Sequence, residues 1–321
     1  MAVHPGALGD VILFGQFLKR LGGEVTLAAG GAKARLLAGL GAVQRALDFD
    51  SLPMHEVFMD SPADRSSLPA LLGRHDRLVS CFAGGNGRAE RALPAMCGAT
   101  QSLFLPVRPK ADFEGHLLDL WADLAGLPRL AAGEFRPWPV QPSWREQAGQ
   151  VLVQAGVSAR RPYVVIHPGA GAADKCWPAG RFAALAELLR QDRPGLEVVC
   201  TSGPVELERL GKLAMEVLRG NCRILPPMPL ETLAGVLAGC SGFVGNDSGP
   251  AHLAAAVGAP AVVVTSPASR RHFLPVGPRV AAVEGAPLSD VHPREVLAAL
   301  GGLGPEQAAA GSPSRGRRGT P

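Results

Sequence analysis

Tyr163-Val164-Val165-Ile166-His167 runs into Pro168-Gly169-Ala170-Gly171 and then into Asp174-Lys175-Cys176-Trp177-Pro178. An apolar run rich in β-branched residues, a glycine loop and a proline suited to the first turn of a helix make a strand–loop–helix unit. The same unit recurs outward in both directions. Short apolar runs predict strands over residues 2–4, 25–29, 78–81, 198–201, 242–244 and 261–265. Amphipathic stretches predict helices over residues 11–21, 32–40, 181–190, 206–219, 230–238 and 250–257. Strands alternating with helices imply βαβ units, hence an α/β fold of parallel sheets covered on both faces.

The chain of 321 residues suits two such domains. The stretch Phe135-Arg136-Pro137-Trp138-Pro139-Val140-Gln141-Pro142-Ser143 holds three prolines in nine residues, which remove backbone donors and disfavour helix. We expect one domain over 1–140, a second over 141–304, and a disordered basic tail over 305–321. The net charge is +4, and Arg315, Arg317 and Arg318 supply most of it. The two domains are close to neutral, which argues against a protein that coats nucleic acid. Six scattered cysteines without a CxxC pair read as reduced thiols of a cytoplasmic protein rather than as a disulfide framework or zinc site. No run of 18 apolar residues and no signal-peptide pattern is expected to span or cross a membrane. The first strand is so short that a trimmed N-terminus would look the same.

Two glycine loops carry the polar chemistry. In His4-Pro5-Gly6-Ala7-Leu8-Gly9-Asp10, Asp10 falls at the first helical turn. It is either an N-cap or a carboxylate at a strand's carboxyl end, where open α/β sheets bind ligands. Lys175 follows the Gly169–Gly171 loop, either as a surface lysine or as a diphosphate ligand. Gly245-Asn246-Asp247-Ser248-Gly249-Pro250-Ala251-His252 is either an ordinary capped turn or, with the first loop, an anion cradle. There is no GxGxxG, no GxxxxGK[ST] and no GxSxG, which disfavours a dinucleotide dehydrogenase and an α/β-hydrolase. Asp48-Phe49-Asp50 reads as a strand end. Arg88 and Arg91, beside Gly84–Gly87, either contact an anionic acceptor or face solvent.

Taken together, HPGALGD at 4–10, HPGAGAADKCWPAGRFAALA from 167 and PLETLAGVLAGCSGFVGNDSGPAHLAAAVGAPAVVV from 229 resemble glycosyltransferase family 9, the ADP-heptose:lipopolysaccharide heptosyltransferases. That resemblance implies a GT-B fold, two facing Rossmann-like domains with a cleft between them, and inverting chemistry without a metal or resident cofactor. It implies that Asp10 is the general base, with Gly9 beside it at the acceptor. It assigns Gly169, Gly171, Lys175, Glu231, Asp247, Ser248, Gly249 and His252 to the donor, with Lys175 on the diphosphate and Glu231 on the ribose. The implied partners are a nucleotide sugar such as ADP-heptose and an anionic glycolipid of the lipopolysaccharide inner core. The basic tail would add peripheral attraction to the cytoplasmic face of the inner membrane. The pattern departs at Thr265-Ser266-Pro267, where the family has an aromatic-Gly-Pro-Thr turn. Another nucleotide sugar, or a non-catalytic nucleotide-binding protein on the same fold, remains an alternative at this point.

Overall fold

A computed structural model describes residues 1–59, 66–129, 134–158, 161–201 and 203–304, without the side chains of 204–210. The basic tail and its three arginines lie outside the described residues.

The first half of the chain folds into a five-stranded sheet. Its strands are β1 (Ala2–Val3), β2 (Thr26–Ala29), β3 (Arg45–Asp48), β4 (Arg77–Ser80) and β5 (Gln101–Phe104), in the order β3-β2-β1-β4-β5. All pairs are parallel. The two-residue β1 lies at the centre, with Ala2 opposite Leu27 and Val79. Its ladder is lengthened by bonds from His4 N–H to Ala28 O and from Cys81 N–H to Val3 O, both 2.9 Å. Helices α1 (Leu8–Leu21), α2 (Gly31–Gly39), α3 (Leu68–Leu72), α4 (Ala89–Met96) and α5 (Leu117–Ala125) connect and cover it.

From Glu134 to Gln141 the chain runs without helix or strand, and α6 (Pro142–Gln154) then begins with its proline in the first turn. The second half forms a six-stranded sheet of β6 (Tyr163–His167), β7 (Glu197–Cys200), β8 (Arg223–Ile224), β9 (Gly242–Asn246), β10 (Ala261–Thr265) and β11 (Val280–Glu284). Their order is β11-β10-β9-β6-β7-β8, again all parallel. Helices α7 (Ala179–Asp192), α8 (Pro204–Arg219, broken at Gly211), α9 (Leu230–Gly239), α10 (Gly249–Ala256), α11 (Pro267–Phe273) and α12 (Pro293–Gly301) complete it.

The strand order reverses between β1 and β4 in one sheet and between β6 and β9 in the other, so a crevice opens at the carboxyl ends of those strands. One hydrophobic cluster runs through both halves, from Ala2, Phe14 and Leu27 to Phe243, Leu253 and Val263. The structure adds four strands to those expected, β3, β5, β8 and β11. These are the four sheet edges, where residues are partly exposed and apolar runs are interrupted. It also starts α1 at Leu8 rather than Val11, and Asp10 lies in the first helical turn.

Candidate functional site

Asp10 is presented by the first turn of α1, directly after the carboxyl end of β1. It does not cap the helix: the N-cap is Ala7, with no side-chain cap bond, so the capping alternative is set aside. Its Oδ1 is instead approached by Arg108 Nη1 at 3.4 Å. Arg108 follows β5, and its guanidinium stands 4.6 Å over the ring of Phe273 in α11, from the other half of the chain. The guanidinium is well exposed, so the pair is a loosely held contact, screened by solvent, rather than a buried lock.

Opposite Asp10, the ends of β6 and β9 are tied together by Asn246, which is fully buried. Asn246 Nδ2 donates to Pro168 O at 2.8 Å, and its Oδ1 accepts from Trp177 N–H at 2.9 Å. That cross-link brings the Gly169–Lys175 loop onto the 245–252 loop. Lys175 Nζ then donates to Asp247 Oδ2 at 2.8 Å, and His252 Nε2 lies 3.8 Å from Asp247 Oδ1, an ion-pair distance rather than a hydrogen bond. Burial opposes ionisation of Asp247, but the neighbouring His252 and Lys175 outweigh it and hold the carboxyl at about 2. Ser248 is the N-cap of α10 in an extended conformation, yet its side chain makes no cap bond, and its buried Oγ has no hydrogen-bond partner among the described residues. A lysine, a free hydroxyl and a helix N-terminus that opens on Gly249-Pro250 converge here, a set that suits an anion.

These two groups line one cavity of about 870 Å3 between the halves, within the size range of small-ligand sites. The halves meet through bare backbone on both sides. A Cβ on Gly9 would stand 2.7 Å from His252 Cδ2, and one on Gly249 would stand 2.8 Å from Leu8 Cβ, so only glycines let α1 and α10 approach this closely. The far wall is apolar, built by Pro226–Leu230 and Leu233.

Of the residues singled out from sequence, Gly9, Asp10, Gly171, Lys175, Asp247, Ser248, Gly249 and His252 line this cavity. Gly169 and Glu231 do not line it; Glu231 is next to the wall residue Leu230 in the first turn of α9. Arg88 and Arg91 are not on its wall either, and Arg88 reaches Phe58 O at 3.5 Å. Sequence reasoning missed Arg108, Phe273, His167 and Thr201, all on the wall; His167 Nδ1 and Thr201 Oγ1 are 3.1 Å apart. Asp48 closes β3, its Oδ1 accepting from Asp50 N–H at 3.2 Å, which matches the strand-end reading. Among the described residues, no three His, Cys, Asp or Glu side chains form a group that could hold a metal ion.

Residues 99–296 match the description of glycosyltransferase family 9 (heptosyltransferase). The chain belongs to glycosyltransferase family 9. Among curated relatives, lipopolysaccharide heptosyltransferase 3 of Escherichia coli is 33% identical over 126 residues, 37% of this chain and 35% of the relative. The match thus spans about a third of that relative's length. Among solved structures, E. coli ADP-heptose lps heptosyltransferase II superposes with a TM-score of 0.72 at 20% identity, covering 94% of this chain and 97% of that one. The E. coli heptosyltransferase WaaC with ADP gives 0.65 at 19% identity, covering 94% and 99%. These likenesses establish the fold: the two parallel sheets face each other in the GT-B manner.

Proposed function

We propose that this family 9 member is an inverting glycosyltransferase. It moves a heptose or a related sugar from ADP-heptose to an anionic lipopolysaccharide inner-core acceptor, without a metal. The observation that carries the reading is that Asp10, from one half, and the Lys175–Asp247 pair, from the other, face into one cavity. In this scheme residues 1–140 bind the acceptor and residues 141–304 the donor.

The donor diphosphate lies on Lys175, Ser248 and the N-terminus of α10, and the nucleoside extends toward Pro226–Leu230 with Glu231 serving the ribose. Asp247, held ionised, keeps Lys175 aimed at the diphosphate. Asp10 accepts the proton of the acceptor hydroxyl as that oxygen bonds to the anomeric carbon. The bond from that carbon to the diphosphate oxygen breaks, and ADP leaves from the opposite face, which inverts the configuration. Charge developing on the leaving group is met by Lys175 and the helix N-terminus, donors already in place before reaction. The apolar wall and the close helix seam limit water that would otherwise hydrolyse the donor.

Among the described residues no helix is long and apolar enough to cross a membrane. The place of action follows from the lipid-linked acceptor: the cytoplasmic face of the inner membrane, with peripheral attraction through the tail at up to about 1 kcal/mol per basic residue.

The test is Asp10→Asn. Turnover of ADP-heptose with lipopolysaccharide from a heptose-deficient strain should fall by about 10²–10⁴-fold, the range of a general base, while ADP binding measured by calorimetry stays. Wild-type turnover in that variant removes Asp10 from the mechanism. Binding of ADP without transfer by the wild type points to a non-catalytic protein, and transfer only from another nucleotide sugar overturns the choice of donor.

A further inference from the structure

Two polar side chains that bond to Gly6, in the loop leading to Asp10, have no part in the scheme above. His4 ends the β1 ladder, is 1% exposed and packs beside Phe14 and Trp121, with ring centroids 5.2 and 6.5 Å away. Its Nδ1 accepts the N–H of Gly6 at 3.0 Å. That bond places the ring proton on Nε2, which has no hydrogen-bond partner among the described residues. The carbonyl of the same glycine accepts from Lys33 Nζ at 2.6 Å. Lys33 comes from α2, the helix that follows β2. Both backbone polar groups of Gly6 are therefore held by side chains, one from the start of its own loop and one from α2. A Cβ on Gly6 would stand 2.5 Å from His4 Cε1 and 3.2 Å from Asp10 Oδ2, so the imidazole and the carboxylate converge over this one bare residue.

The geometry points to His4 and Lys33 as positioning residues that clamp Gly6 and thereby set the Asp10 carboxylate against the acceptor hydroxyl. This inference rests on the reading of Asp10 as the base. His4 cannot take the acceptor's proton itself, because Nδ1 is occupied by the Gly6 N–H and Nε2 already carries a hydrogen. Burial holds the ring neutral, with Lys33 adding to burial and Asp10 opposing it, so Nδ1 stays an acceptor at neutral pH. A buried imidazole with one nitrogen unpaired is costly compared with an apolar side chain. Rigid placement of the loop is the gain that offsets it, since a displacement of about 1 Å at a reacting group can cost about 10²-fold in rate.

The experiment compares Lys33→Met, His4→Phe, His4→Asn and Asp10→Asn. Turnover uses ADP-heptose with lipopolysaccharide from a heptose-deficient strain, and exchange of the Gly6 amide is followed by heteronuclear NMR. Lys33→Met and His4→Phe should lower kcat by about 10- to 100-fold, with acceptor KM and ADP affinity within about twofold of wild type. His4→Asn, whose Oδ1 can stand where Nδ1 stands, should recover kcat to within about threefold. The Gly6 amide should exchange at least about tenfold faster in His4→Phe than in the wild type or His4→Asn. If His4→Phe does not fold, Lys33→Met, which leaves the buried ring in place, carries the test. An inactive Asp10→Asn beside a Lys33→Met of wild-type kcat overturns the clamp alone. Wild-type turnover by Asp10→Asn overturns the base reading and the clamp with it. Unchanged Gly6 exchange in His4→Phe overturns the clamp whatever the donor.

Discussion

Lowering the pH from 7 to 5 should weaken the fold through two histidines, His4, which is buried, and His116, which is half-buried. Burial drives both His4 and His116 from the usual 6.5 to about 4, against the attraction of Asp10 in the first case and the hydrogen bond to Leu274 O in the second. His116 is the N-cap of α5: its Nδ1 accepts from Leu118 N–H at 3.2 Å, and its Nε2 is 3.0 Å from Leu274 O, across to the other half. Each folded pKa lies below its unfolded value, so between pH 6.5 and 4 the unfolded chain binds more protons. The stability is fully present above about pH 6.5 and is lost as the pH falls toward 4. At about 1.36 kcal/mol per pKa unit, each histidine contributes about 3 kcal/mol in full, of which about 2 kcal/mol is gone at pH 5. Together they should remove about 4 kcal/mol between pH 7 and 5. His75 and the N-terminal amine, also shifted downward by burial, act in the same direction. Urea unfolding at pH 7, 6 and 5, followed by tryptophan fluorescence, measures this. His116→Asn keeps a side chain suited to the cap and should remove about half of the drop. A midpoint that does not move between pH 7 and 5, or an equal drop in His116→Asn, refutes the reasoning.

Asp247→Asn should cost about 2 kcal/mol at pH 7, because the carboxyl is held at about 2 against its ordinary 3.8. Its contribution is present above about pH 4 and disappears as the pH falls toward 2, so wild type and variant should converge in acid unfolding curves. Gly249→Ala would set a Cβ against Leu8, and Gly9→Ala one against the His252 ring. Both should lower kcat at least about tenfold by shifting α10 against α1, with circular dichroism unchanged; wild-type turnover in either would show that the seam does not position the site.

The interior of both sheets was legible because central strands such as Val164–Ile166 and Val262–Val264 are buried on both faces and read as unbroken apolar runs. The edges were not, since β3 and β5 each join two exposed polar residues to only two half-buried apolar ones. The site followed the same division. Asp10 and Lys175, both on the cavity wall, stand out in the sequence because each follows a glycine loop at a strand end, a signal contained in a few neighbouring residues. Arg108 lies beyond the unread β5, and its partners Asp10 and Phe273 are distant in the chain, so no local pattern announces it. His4 carries no local sign of its link to Lys33, which depends on β1 and β2 lying side by side. Glu231 and Gly169 stand in motifs yet are not on the cavity wall, a distinction that spacing along the chain does not carry.

The seam between α1 and α10 has a consequence for how such a chain can vary. Leu8 sits over Gly249 while His252 sits over Gly9, so each helix supplies both a protrusion and the bare patch that receives the other's. The pairing is reciprocal, and neither helix can change its contact residue alone. A chimera that joins this N-terminal half to a relative's C-terminal half at the proline-rich connection would separate those partners, and its two sheets could not close to the same distance. Recombination with a relative should therefore keep this seam only when α1 and α10 travel as a set.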